Sequence, residues 1–175
     1  VGSEMCIRDR CKSYDEKTVL DNIMAEFPDD SITCIMGESG AGKTTLVRII
    51  AGLENADRGT VSGAGVVSFD FQEDRLINDI SAADNIMLVL DKNDFGGHDK
   101  KTMRKIINEN LAEVLKDYPS DKSTGTYSGG MKRRVCLVRA MMKKSDTVIL
   151  DEPFSGMDEE KKILAAEYIN CLLYT

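Results

Sequence analysis

The chain has 175 residues, enough for one domain with its own core, and its 42% hydrophobic and 30% charged residues are typical of a globular protein. Its 30 acidic and 23 basic residues give a net charge of −7, which argues against a nucleic-acid-binding protein, since such proteins usually need a basic face. No apolar run approaches the roughly 18–20 residues that span a membrane.

Both ends of the chain have an unusual composition. The string MCIRDR at residues 5–10 and the closing CLLYT at residues 171–175 resemble translated sequencing-adaptor read-through. We therefore interpret residues 1–10 and 171–175 as non-native and leave them out of the fold prediction.

The first half of the chain predicts a strand, a glycine-rich turn and a helix in succession. Residues 31–36 form a short β-branched run that is typical of a buried strand. The turn covers residues 37–42, and the apolar spacing that follows predicts a helix over residues 44–51. A second strand is predicted at residues 66–71, and a helix around residues 82–90.

The second half predicts three helices and one strand. Apolar residues at helical spacing indicate helices over residues 102–117, 131–143 and 159–168, with a polar connector at residues 120–130. The apolar run from Thr147 to Leu150 predicts a strand inside a parallel sheet that is covered on both faces. Strands that alternate with helices indicate an α/β fold with a mostly parallel sheet.

The glycine-rich turn matches the phosphate-loop pattern in full: Gly37, Glu38, Ser39, Gly40, Ala41, Gly42, Lys43 and Thr44. Glycines allow backbone N–H groups to converge on an anion, and the helix that begins there adds its positive dipole end. Lys43 would supply a charge to the outer phosphates and Thr44 a hydroxyl to magnesium. The alternative is a turn without a ligand, but its place between a strand and a helix favours binding of magnesium-ATP.

Two carboxylates, Asp151 and Glu152, follow the apolar strand Thr147 to Leu150. Ligands bind at strand ends in open α/β sheets, so one carboxylate can hold magnesium while the other polarises water as a general base. The alternative is a solvated turn. The phosphate loop elsewhere in the chain favours the catalytic interpretation.

A hydroxyl and two glycines, Ser128, Gly129 and Gly130, open the basic helix that contains Lys132, Arg133 and Arg134. A helix start of this kind is an anion-binding shape. Taken alone, a flexible glycine turn with a solvated basic face is the better interpretation.

Together these residues resemble the nucleotide-binding domain of ABC ATPases, over residues 11–170. The matches follow the family's order: Tyr14 for the aromatic that stacks on adenine, Gly37 to Thr45 for Walker A, Gln72 for the Q-loop glutamine, Ser128 to Gly130 for the signature, Asp151 and Glu152 for Walker B and the catalytic glutamate, and residues 155–158 for the D-loop. The resemblance implies a P-loop NTPase fold. It also implies a short antiparallel β subdomain and a helical signature subdomain at about residues 76–140.

The resemblance also implies a role for each matched residue. Glu152, Lys43 and Gln72 would be catalytic, and Thr44, Gln72 and Asp151 would hold Mg²⁺. ATP would bind to residues of one copy and to the signature of a second copy: Tyr14, Gly37, Glu38, Ser39, Gly40, Ala41, Gly42, Lys43, Thr44 and Thr45 on one side, Ser128, Gly129 and Gly130 on the other.

The chain departs from the family's pattern at a few positions. Tyr127 and Met131 stand where the signature usually has Leu and Gln, and the family's switch histidine is absent. His98 precedes the signature and is interpreted as a loop residue. We explain the missing histidine by C-terminal truncation, and expect the chain by itself to hydrolyse ATP weakly or not at all.

The resemblance implies the ATPase subunit of an ABC membrane transporter, in which two nucleotide-binding domains pair head to tail and contact an integral-membrane permease. The sequence Asp-Glu-Pro-Phe at residues 151–154 favours an importer, and residues 71–76 are similar to ATPases of nitrate, sulfonate and taurine importers. The expected location is cytoplasmic, on the inner face of the membrane through the permease, and no nucleic-acid partner is expected.

Two other classes remain as alternatives. A soluble ABC ATPase that acts on ribosomes or nucleic acid would need basic surface, which the acidic balance disfavours. The stretch between Lys43 and Ser128 is also too short for the coiled coils of chromosome-organising relatives. A small-molecule kinase on the same phosphate loop is the third class, and the signature at Ser128 to Gly130 argues against it.

Overall fold

The structure is a computed structural model that describes residues 4–15, 17–116 and 122–173. It divides into two compact units, Val1–Val67 and Ser68–Thr175. Within the described residues, no helix combines the length and the apolar character needed to cross a bilayer.

The first unit is built on a three-stranded antiparallel sheet. Strands β1 (Met5–Tyr14), β2 (Lys17–Phe27) and β3 (Arg58–Ser62) pair in the order β2-β1-β3. This sheet is the antiparallel β subdomain that the family resemblance implies, but none of its three strands was predicted individually. Residues 5–10, left out of the fold prediction, form the first part of β1, and Ile7 among them is fully buried.

Residues 31–36 differ from the sequence-based prediction. The prediction of a buried strand there is wrong, since the segment has no strand structure and Met36 is 87% exposed. A β-branched apolar run favours extended backbone, but a strand also needs a neighbour that satisfies its N–H and C=O groups. Among the described strands, none pairs with this segment.

Helix α1 (Lys43–Ile50) follows the glycine-rich turn, as predicted. It begins directly after Gly42 and buries Ile49 and Ile50 at its C-terminal end. The helix is short, so its first turn, which carries the end of the phosphate-loop pattern, makes up half of its length.

The second unit combines one strand pair with a helical core. Strand β4 (Val67–Asp70), which starts at the last residue of the first unit, pairs with β5 (Thr147–Leu150), and both strands match the predictions. The helices are α2 (Ala82–Met87), α3 (Lys100–Leu115), α4 (Gly129–Met142) and α5 (Glu159–Leu173), with a 3₁₀ turn at Thr124–Thr126. Apolar side chains from all four α-helices form one core.

The helix predictions are confirmed with shifted boundaries. Helix α2 ends at Met87 rather than near residue 90, and α5 continues to Leu173. Helix α3 begins two residues early, at Lys100, where the Asp99 side chain caps it by accepting a hydrogen bond from the Thr102 N–H. The predicted stop at Pro119 lies outside the described residues.

Candidate functional site

The phosphate-loop pattern adopts a tight turn that only glycine permits at its end. Gly42 has φ +86°, and a Cβ at this position would lie 2.8 Å from Val19 Cγ1 and 3.0 Å from the Val19 carbonyl oxygen. A side chain would therefore be strained by the backbone and would also collide with β2. Gly40 has a similar φ of +80° but open space around it.

Lys43 folds back over this loop. Its Nζ donates hydrogen bonds to the carbonyl oxygens of Gly37, at 2.8 Å, and Glu38, at 2.7 Å. The first turn of α1, which contains Thr44 and Thr45, has no side-chain cap from Gly42. The loop therefore places a cation and a helix N-terminus side by side, an arrangement that suits a phosphate.

Tyr14 lies at the end of β1 and is 44% exposed. Its hydroxyl donates a hydrogen bond to the carboxylate of Glu54. The hydrogen bond to Glu54 is the main cause that raises the pKa of Tyr14 above its ordinary value. Lys12 Nζ lies 5.0 Å from the ring centroid and 3.4 Å from Glu54, so the ring is held on both its edge and its face.

Sequence reasoning missed Lys12 and Glu54. The signal for Lys12 was its spacing, because residues two apart on a strand share one face with Tyr14. For Glu54, 40 residues further along the chain than Tyr14, no local signal exists. Within the first unit, Tyr14 is thus held by two residues that the sequence did not single out, Lys12 and Glu54.

In the second unit, Gln72 and Glu152 meet where β4 and β5 end. Gln72 Nε2 lies 3.3 Å from Glu152 Oε2, and the Asp151 N–H donates to the Asp70 carbonyl at 3.0 Å. Glu152 is exposed and has φ +53°, in the left-handed region. Asp151 beside it is buried, at 8% exposure. The two neighbouring carboxylates therefore occupy different environments.

The candidate magnesium ligands carry oxygen donors of the kind that Mg²⁺ prefers. In the second unit, Gln72 directs its amide nitrogen toward Glu152 and also carries an amide oxygen, and Asp151 carries a carboxylate; in the first unit, Thr44 carries a hydroxyl. Oxygen ligands are those that Mg²⁺ prefers, usually one or two carboxylates together with water and substrate phosphates.

The signature residues begin α4. Ser128 caps this helix, and its hydroxyl accepts a hydrogen bond from the Met131 N–H at 3.3 Å. A Cβ on Gly130 would lie 2.8 Å from the Gly156 carbonyl oxygen, so this glycine permits close contact with residues 155–158. The signature and the predicted D-loop are therefore neighbours within one chain.

The alternative of a solvated basic face on α4 is wrong for two of its residues. Arg133 and Arg134 are 2% and 5% exposed. Each guanidinium finds carbonyl acceptors inside the second unit, which is how a buried arginine is normally satisfied. The sequence signal for Arg133 was its helical spacing from Leu137 and Ala140, both buried, which places it on the core face of α4.

Arg133 pairs with Asp70, which sequence reasoning also missed. Its Nη2 lies 2.8 Å from Asp70 Oδ2, and the two side chains are 3% and 0% exposed. Burial raises the pKa of Asp70 to about 7, and the positive charge of Arg133 opposes that rise. The buried Arg133–Asp70 pair thus adjoins the strand ends that carry Gln72 and Glu152.

Comparisons with known proteins agree on one family. The sequence model described as ABC transporter matches residues 20–155. The chain is 34% identical over 160 residues to a sulfate/thiosulfate import ATP-binding protein of Vibrio vulnificus, covering 85% of this chain and 46% of that protein. It is 36% identical over 155 residues to an aliphatic sulfonates import ATP-binding protein of Burkholderia cenocepacia, covering 84% of this chain and 55% of that protein.

Solved structures agree on the fold. A structure described as an ABC transporter (ATP-binding protein) from Pyrococcus furiosus matches with a TM-score of 0.82 and 27% identity, covering 98% of this chain and 86% of that one. A structure described as the dimeric structure of a bacterial ABC transporter cassette matches with a TM-score of 0.82 and 21% identity. At this identity the match shows the fold alone. The P-loop NTPase fold class is thereby confirmed.

The matches differ in how much of each protein they cover. The chain spans about half the length of the curated relatives it matches. The family model, however, covers most of the chain, including the phosphate loop, the signature and both carboxylates. The chain belongs to the ABC transporter family.

Proposed function

We propose that this chain is part of the ATP-binding subunit of an ABC importer, and that the full-length protein hydrolyses ATP to ADP and phosphate rather than transferring the phosphoryl group to a small molecule. The observation that carries the proposal is the Gln72–Glu152 pair, 3.3 Å apart where β4 and β5 end. An exposed carboxylate that is held by an amide can orient and deprotonate a water molecule.

ATP binding is assigned to the first unit's loop. Lys43 would release its hydrogen bonds to Gly37 and Glu38 and donate instead to phosphate oxygens, where charge-assisted bonds are stronger. The uncapped first turn of α1 offers N–H groups to the same anion. Tyr14, already held by Glu54, would stack on the adenine ring.

Magnesium binding is assigned to oxygen ligands of Thr44, Gln72 and Asp151. When bound, the ion would neutralise charge on the phosphates of ATP. Asp151 is the buried carboxylate and Glu152 the exposed one, so we assign cation binding to Asp151 and proton abstraction to Glu152. This division follows from environment, because burial of a carboxylate requires a compensating positive charge.

The transport role is supported by the relatives. Those named above are import ATP-binding proteins for sulfate, thiosulfate and aliphatic sulfonates, so we propose import as the direction and an integral-membrane permease as the partner. We also propose that two copies pair, each supplying Ser128 and Gly130 to the ATP bound by the other. On this proposal the protein works at the inner face of the membrane through its permease.

The test is a phosphate-release assay on the full-length protein with ATP and Mg²⁺. We expect release that needs no added acceptor and that Glu152→Gln suppresses. Phosphate transfer that depends on a small-molecule acceptor would instead indicate a kinase. Absence of nucleotide turnover in the full-length protein, alone and with its permease, would contradict the proposal.

A further inference from the structure

We propose that Arg133 is a positioning residue for hydrolysis, one that fixes Glu152 and Gln72 by holding the main chain around them. The inference rests on the proposed function, because it concerns the residues assigned to hydrolysis there. Arg133 lies on α4 and is 2% exposed, so it acts through other groups rather than on the substrate.

The guanidinium of Arg133 binds the ends of both strands at once. Its Nη2 donates to the Asp151 carbonyl at 2.6 Å, and its Nε donates to the Glu152 carbonyl at 3.2 Å. Its Nη1 donates to the carbonyl of Phe71, the residue before Gln72. A planar group with five donors in fixed directions is suited to holding several acceptors in one arrangement.

These carbonyls belong to the segments whose side chains must stay in place. Glu152 has φ +53°, a conformation that non-glycine residues keep only when their surroundings enforce it. Arg133 holds the carbonyl of that same residue. Without this bond we expect the Glu152 backbone to relax and its carboxylate to move from Gln72, now 3.3 Å away.

Asp70 orients the guanidinium from the other side. Its carboxylate lies 2.8 Å from Nη2 and 3.4 Å from Nη1 of Arg133, and it is on β4 just before Phe71. Removal of Arg133 alone would leave a buried unpaired carboxylate, which destabilises a protein whatever the role of the arginine. A test must therefore also remove the charge of Asp70.

Arg134 provides a matched control. It is the next residue of α4 and is equally buried, at 5% exposure. Its guanidinium donates to the carbonyl of Val114 at 2.6 Å and, within its own helix, to that of Gly130 at 3.2 Å. Its replacement therefore measures what the loss of a buried arginine on α4 does to stability.

The experiment compares Arg133→Gln, Arg133→Lys, the double variant Asp70→Asn with Arg133→Gln, and Arg134→Gln, all in the full-length protein. Steady-state ATP hydrolysis gives kcat and KM, and urea unfolding gives stability. We expect Arg133→Gln to lower kcat on the order of 10–100-fold, the scale of a small misplacement of catalytic groups. KM should change less than about threefold, since lost positioning acts on turnover rather than on binding.

The other variants separate positioning from charge balance. The double variant should regain stability, because it has no unpaired buried charge, while its kcat stays low. Arg133→Lys keeps the charge but loses the planar guanidinium with its fixed donor directions, so this variant should be stable with an intermediate kcat. Arg134→Gln should lose stability while its kcat stays above that of Arg133→Gln, because the carbonyls that Arg134 holds, those of Val114 and Gly130, do not belong to the segments that carry Gln72 and Glu152.

Several outcomes would overturn the inference. Parental kcat in the double variant would mean that Arg133 only neutralises Asp70. An equal fall of kcat in Arg134→Gln, or failure of every Arg133 variant to fold while Arg134→Gln folds, would make the role structural. If the parent hydrolyses no ATP, the proposed function fails as well. If the parent is active and the Arg133 variants keep its kcat, this inference alone fails.

Discussion

At the residue scale, two adjacent carboxylates have different surroundings. Asp151 is 8% exposed and directly follows β5, whereas Glu152 is exposed, has a left-handed φ and hydrogen-bonds with Gln72. A general base must reach water, while a cation ligand gains from burial once its charge is matched. These environments support the proposed roles of Asp151 in cation binding and of Glu152 in proton abstraction. From the sequence, the assignment of each role to its carboxylate followed from the family resemblance.

The first prediction concerns Glu152→Gln. Glutamine keeps an oxygen that can accept the Gln72 hydrogen bond but cannot take a proton, so ATP should still bind while hydrolysis slows by roughly 10²–10⁴. The measurements are nucleotide titration and steady-state phosphate release from the full-length protein. Glu73→Gln, which removes a neighbouring exposed carboxylate, is the control. Parental turnover in Glu152→Gln would show that another group is the base.

The second prediction concerns Lys43→Ala. Its ammonium is the cation that the loop already holds, at 2.7 and 2.8 Å from two loop carbonyls. Loss of a charged partner from such a site should weaken ATP binding on the order of 100-fold. Isothermal titration of the full-length protein measures this, with Lys17→Ala on β2 as the control. Unchanged affinity would contradict the assignment of the phosphate loop.

At the element scale, the start of α1 depends on its contact with β2. Gly42 places the first turn of the helix against Val19, at distances too short for any Cβ. Helix α4 is similar, since Gly130 meets the Gly156 carbonyl while Gly129 faces open space. Packing therefore requires glycine at Gly42 and Gly130, whereas Gly40 and Gly129 have open space around them.

The third prediction compares Gly42→Ala with Gly40→Ala. Both positions have positive φ, so each alanine should cost about 1–2 kcal/mol for the left-handed backbone. Gly42→Ala should cost a further 1–3 kcal/mol or so from overpacking against Val19. Denaturant unfolding of the full-length variants gives the two free energies. Equal losses would mean that the contact with β2 is not close in solution.

The fourth prediction compares Gly130→Ala with Gly129→Ala in α4. Gly129→Ala should be neutral or stabilise by about 0.4–1 kcal/mol, because alanine suits a helix and has space here. Gly130→Ala should destabilise by about 1–3 kcal/mol, because its Cβ would lie 2.8 Å from the Gly156 carbonyl oxygen. Thermal unfolding measures both. A stable Gly130→Ala variant would contradict the contact between the signature and residues 155–158.

At the scale of the whole molecule, the chain divides into two units that each carry part of the candidate machinery. The phosphate loop belongs to Val1–Val67, and the strand ends and signature belong to Ser68–Thr175. Ser128 caps its own helix, and it is exposed, so its hydroxyl is reachable from outside the chain. This is consistent with the proposal that a second copy uses it.

The fifth prediction follows from that pairing. Specific ATPase activity of the full-length protein should rise with protein concentration, since each complete site of the proposed pair takes residues from two copies. Glu152→Gln with ATP should sediment as a dimer, because bound ATP is not consumed. Sedimentation velocity and an activity series over protein concentration measure both effects. Constant specific activity together with a monomeric Glu152→Gln variant would contradict pairing.

The elements predicted from the sequence are those whose signals are local. The phosphate loop and α1 follow from a pattern of eight adjacent residues, and β4, β5, α3 and α4 follow from apolar runs or helical spacing. The candidate site residues on these elements could therefore be predicted from the sequence alone. Strand β1 was missed in part because residues 5–10 were set aside for their composition, and no strand was predicted at β2 or β3.

Only the tertiary structure decided which chain segments meet. Local propensity favoured a strand at residues 31–36, but pairing decides whether a strand forms, and none of the described strands pairs there. The Gln72–Glu152 contact joins residues 80 positions apart. The hydrogen bond from the buried Arg133 to the Phe71 carbonyl joins residues about 60 positions apart. The sequence by itself determined the chemistry available on each segment. Burial and hydrogen bonding between distant segments, which no local pattern encodes, decided how that chemistry is arranged.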